Sequence, residues 1–151
     1  MRTELIHPLI VHFPIALLTI GVALRLIHYF LRKSRFSQAT LFSAWVLLFL
    51  GVGFAWIAVI AGEAAEDIVG STLCEPQILE RHKHLAYSTA ALFSFAYLLD
   101  LGKAWLQKPM LLLTIALSIL YTAAAGTLLF TGGYGSNLVF EQGAAVAKEC
   151  H

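Results

Sequence analysis

The residues best suited to chemistry lie near the start of the chain, in HPLIVHFP at 7–14, and near its middle, in HKH at 82–84. Neutral imidazole is a ligand for transition metals and for haem iron. His7, His12, His82 and His84 are therefore the candidate ligands. Pro14 has no N–H to offer residue 10, so a helix either starts near Phe13 or kinks there. On an ideal helix, His7 and His12 point roughly 140° apart and do not share one atom. His82 and His84 are separated by roughly 200°, so at most one of them faces inward. Beside them stand GEAAED at 62–67 and two cysteines, Cys74 and Cys150.

These residues need elements to hold them. Of 151 residues, 59% are hydrophobic and only 13% charged, whereas soluble domains carry about a quarter charged residues. The chain reads as an all-α integral membrane protein, one four-helix bundle covering 1–151. Spans of about 20 apolar residues are needed, and four stretches qualify: about 9–31, 40–61, 85–101 and 110–131. The third is expected to begin earlier, near Ile78. The first run lacks a cleavage site and is expected to remain as a helix.

Arg32, Lys33 and Arg35 follow the first span, and Lys103 and Lys108 the third. Arg25 is close enough to that end to snorkel toward it. Basic loops stay inside, so both termini and the 62–84 loop are expected on the periplasmic side of a bacterial inner membrane. Five of the six histidines then share that side, His28 being the exception. Small residues at Gly51, Ala55, Ala58 and Gly62, and at Ser118, Thr122 and Gly126, are expected to pack helices closely. The two hairpins suggest a loose pseudo-symmetry without a convincing sequence repeat.

With the first and third spans entering from one side, an imidazole from each can face the other across a haem iron. Propionates would point toward Arg2, Arg81 or Lys83. Alternatively, one histidine ligates iron and another bonds a propionate, or the histidines are interfacial and bond carbonyls or headgroups. Glu63 and Glu66 share a helix face. They could ligate a metal, bond a ligating histidine's second nitrogen, or simply face water. Cys74 and Cys150 fall on the oxidising side, where a disulfide is permitted. AKECH at 147–151 lacks the second cysteine of a covalent haem site. TGGYGSNLVFEQG at 131–143 lacks a phosphate loop's lysine and reads as a turn leaving the membrane, placed to cover the site.

HPLIVHFPIAL (7–17), GEAAED (62–67), HKHLA (82–86) and GGYGSNLVFEQG (132–143) resemble a family of small bacterial four-helix membrane proteins, domain of unknown function 2231. Some members look like haem-binding or hemin-transport proteins. The resemblance carries His7, His12 and His82 over as the family's histidines, but not His84. It also places Gln142 where members often have histidine.

The leading expectation is a haem-binding protein that takes up or passes non-covalent haem b at the periplasmic face. A periplasmic haem donor and a homodimer sharing the site are the expected partners, beside membrane lipid. The alternatives are a b-type cytochrome, a metal or proton transporter using His and Glu, and a structural subunit. No motif supports catalysis, and no basic patch suggests nucleic acid.

Overall fold

Apolar segments in lipid must bond their own backbone groups, which leaves helices as the solution for an open chain. The computed structural model describes residues 3–106 and 110–146. A 3-10 turn, Thr3–Leu5, leads into α1 (Ile6–Ile10) and α2 (His12–Phe30). Next come α3 (Ser37–Val69), a second 3-10 turn (Gly70–Thr72), α4 (Pro76–Leu106) and α5 (Leu111–Phe140). There are no strands among the described residues. Four segments are long and apolar enough to cross a membrane: Ile6–Phe30, Ser37–Thr72, Pro76–Leu106 and Leu111–Phe140. Large apolar side chains such as Phe30, Phe42, Leu112 and Leu129 stay exposed, as a lipid-facing surface requires.

The interruption near Pro14 is slight. Val11 N still bonds the His7 carbonyl at 3.1 Å, and Ile15 N bonds the Val11 carbonyl at 3.3 Å. Every span is longer than expected, though the first ends and the last begins within a residue of its expected limit. GEAAED lies within α3, so the expected 62–84 loop shrinks to the short connection before Pro76. The glycine-rich segment after Thr131 is likewise helix, as far as Phe140, and not a turn. Glycine costs a helix about 1 kcal/mol in water, but unbonded backbone in an apolar setting costs several. The helix ends beyond this segment, where Gly143 adopts φ 70° and Ala144 N bonds the Leu138 carbonyl at 2.8 Å. A left-handed glycine is a common helix stop.

The helices form two antiparallel hairpins, α2 with α3 and α4 with α5, which pack face to face. Gly21 and Gly51 let the first hairpin close. A Cβ on Gly51 would stand 2.7 Å from Leu18 Cδ2, and one on Gly21 would stand 2.9 Å from Leu48 Cγ. The expected close packing through Ser118, Thr122 and Gly126 does not occur. A Cβ on Gly126 would meet open space, while Ser118 and Thr122 bond the carbonyls of Thr114 and Ser118 on their own helix. The buried face of α5 is instead Leu117, Tyr121, Ala124 and Leu128.

The two hairpins repeat one another position by position. A step of 75 residues takes Arg25 to Asp100, and the same step takes His7 to His82 and Leu18 to Phe93. A step two residues shorter takes Leu48 to Tyr121, Gly51 to Ala124 and Gly62 to Gly135. Leu18, Phe93, Leu48 and Tyr121 are all fully buried. The core is therefore built around a pseudo-twofold axis, with a layer from each hairpin.

Arg25 does not snorkel. It is buried and holds Asp100 through two bonds, Nε to Oδ2 at 2.6 Å and Nη2 to Oδ1 at 2.7 Å. Trp45 Nε1 also donates to Asp100 Oδ2, at 3.2 Å. The two charges occupy equivalent positions and join the hairpins at the end of the bundle away from His7 and His82.

Candidate ligand-binding site

His7 stands on α1 and His82 on the second turn of α4. Their rings meet edge to face, with centroids 6.1 Å apart and planes at 84°. Each ring is anchored the same way. His7 Nδ1 lies 2.8 Å from the Ala58 carbonyl of α3, and His82 Nδ1 lies 3.0 Å from the Thr131 carbonyl of α5. A carbonyl only accepts, so Nδ1 carries the proton in both rings and the lone pair of a neutral imidazole falls on Nε2.

Each ring also rests on a glycine one turn beyond its carbonyl. A Cβ on Gly62 would lie 3.1 Å from Cε1 and Nδ1 of His7, and one on Gly135 would lie 3.1 Å from Cε1 of His82. The arrangement is a histidine, a carbonyl and a glycine, made once by each hairpin. Both Nε2 atoms lack a hydrogen-bond partner among the described residues, yet neither is a buried unsatisfied atom. They open into the cavities beside the pair.

The larger cavity, about 370 Å³, reaches toward the middle of the bundle between Pro14, Ala55, Thr89 and Leu128. The smaller, about 100 Å³, reaches toward the bundle end between Val59, Leu73, Leu79 and Leu138. Both are mainly apolar and both include His7 and His82. Glycine-rich α5 supplies a wall through Gly135 and Val139, where a covering turn was expected.

The other candidate ligands are not part of the pair. His12 is exposed at the rim of the larger cavity. His84 is exposed on another face of α4, its Nε2 3.0 Å from Glu80. Glu63 and Glu66 bond neither His7 nor His82. Glu63 accepts from the Tyr87 hydroxyl, and Glu66 pairs with Lys83 at 2.8 Å. Glu63, Glu66 and Lys83 line the outer part of the smaller cavity, while Arg81 sits outside it, 3.5 Å from the Tyr134 hydroxyl. Arg2 and Cys150 lie outside the described residues, and Cys74 is not a free thiol. Gln142 accepts from Glu75 N at 2.9 Å, tying the tail after α5 to the loop before α4.

No group of three or more His, Cys, Asp and Glu side chains suited to an ion occurs among the described residues. Two imidazoles are what the site offers. A ligand bringing its own remaining donors would complete the set, and haem is a group of that kind, which His7 and His82 would hold. Two neutral imidazoles beside mainly apolar space are a donor set that would suit such a group.

No curated protein and no solved structure gives a significant match to the chain. One family model does, from residue 4 to residue 148, its description being a predicted membrane protein. The chain is thus a member of the family designated domain of unknown function 2231.

Proposed function

We propose that this protein binds haem b non-covalently between His7 and His82 and takes up or passes it at that end of the bundle. The observation that carries the reading is the pair itself: two rings from co-directed helices, 6.1 Å apart, each anchored through Nδ1 with Nε2 open. Anchoring one nitrogen to a carbonyl fixes the ring and raises the basicity of the other, the usual support for a ligating histidine. Apolar cavities on both sides give the macrocycle its surroundings, and Lys83, which lines the smaller cavity, would meet the propionates. When bound, the group would supply an iron centre, held by the imidazoles of His7 and His82.

Orientation follows from Arg32, Lys33, Arg35 and Lys103, which lie at the opposite end and favour the cytoplasmic side. The histidine pair then faces the periplasm of an inner-membrane protein. Both ligands come from one chain, so a homodimer is not needed to complete the set.

The test is the absorption spectrum of the detergent-purified protein after hemin addition. Wild type is expected to give the Soret and visible bands of a six-coordinate bis-imidazole haem. His7→Ala and His82→Ala should each lose them, while His84→Ala keeps them. Bands unchanged in the double variant His7→Ala/His82→Ala would overturn the proposal. So would uptake of copper or zinc without uptake of hemin.

A further inference from the structure

At the end of the bundle away from the histidine pair lies a third cavity, about 310 Å³, lined by Arg25, Tyr29, Arg32, Trp45, Asp100 and Lys103 among others. Its charge does not balance. Asp100 is its one acid, and that carboxylate is fully engaged by Arg25 and Trp45. Arg32 lies over the Tyr29 ring at 5.3 Å and has no carboxylate partner among the described residues. Lys103 is half-buried, with neither a hydrogen bond nor an ion pair among the described residues. Two cations therefore line one cleft, Arg32 exposed and Lys103 half-buried, with no acid among the described residues left to neutralise them.

We infer that this cleft binds the phosphodiester headgroup of an anionic membrane lipid. Like charges brought together beside apolar surface are unfavourable until an anion joins them. The depth selects a lipid over a free anion. Arg32 follows the end of one span, and Lys103 lies in the last turn of another. Trp45 and Tyr29 add the aromatic groups common at headgroup level. Exposed Phe30, Phe42, Leu101 and Trp105 lie on the neighbouring surface, where acyl chains would run. Basic pockets between spans on the cytoplasmic side hold anionic headgroups in this way.

The experiment is native mass spectrometry of the full chain from nanodiscs of phosphatidylcholine containing phosphatidylglycerol. Wild type should retain phosphatidylglycerol in preference to phosphatidylcholine. Arg32→Gln and Lys103→Gln should each lower that preference about fivefold. Lys103→Arg should restore it, and Lys33→Gln, outside the cleft, should leave it unchanged. Equal losses from Lys33→Gln and Lys103→Gln would reduce the effect to general surface charge and overturn the site. Full displacement of the lipid by millimolar inorganic phosphate would overturn the choice of a lipid. The readout requires no haem, so it is independent of the histidine pair.

Discussion

A ring that lies against a helix backbone needs a position beneath it without a side chain. Gly62 and Gly135 are those positions, and the demand can be measured. Gly62→Ala places a methyl 3.1 Å from the His7 ring, so the ring must shift and its bond to the Ala58 carbonyl must stretch. Hemin affinity should fall about tenfold, the usual scale for disturbing a ligand's support, with Gly135→Ala acting alike through His82. A titration followed in the Soret band checks both, and unchanged affinity would remove the cradle from the argument. Tyr121 makes the opposite case. Its hydroxyl is buried and has no partner among the described residues, while the equivalent residue in the other hairpin is Leu48. A buried polar atom without a partner is a cost, so Tyr121→Phe should leave the thermal midpoint in detergent unchanged or raise it. A fall of several degrees would reveal a partner for that hydroxyl.

At the level of elements, the sequence read well where hydropathy is decisive and poorly where geometry is. Four spans and their order were legible, because lipid leaves an apolar run few choices. Their ends were not, since Gly132, Gly133 and Gly135 look like a turn in water and stay helical here. His7 and His82 could be named as candidates, and helix phase set them apart from His12 and His84, but phase alone did not say which of each set faces inward. Gly62 was visible as one of the small residues expected to pack helices and as the start of an acidic run, and Gly135 only as part of a turn. The signal that could have found them was the repeat: a histidine followed, at nearly equal distance in each half, by a glycine. That repeat is obscured because the halves share shapes more than residues, as Leu18 with Phe93 and Gly51 with Ala124 illustrate. Arg25 was read as a cation stretching to the membrane surface because Asp100, its partner, is so far away in the chain.

For the molecule as a whole, that pair is the main polar joint between the hairpins. Removing one member strands a charge in an apolar core, which costs about 3–5 kcal/mol. Arg25→Ala and Asp100→Ala should each lower stability by that amount in a denaturant titration. Exchanging the two, Arg25→Asp with Asp100→Arg, should recover most of the loss. A swap no better than the single variants would mean that Trp45 and the surrounding residues, rather than the charges, set the geometry.

The same joint decides which hairpins may meet. Two halves so alike in outline could dock onto copies of themselves as readily as onto each other while a new chain settles in the bilayer. A first hairpin meeting its own twin, however, would press guanidinium against guanidinium, and a second hairpin would press carboxylate against carboxylate. Opposite signs at matching places make each half choose its counterpart, and only that choice brings one histidine from each to the same spot.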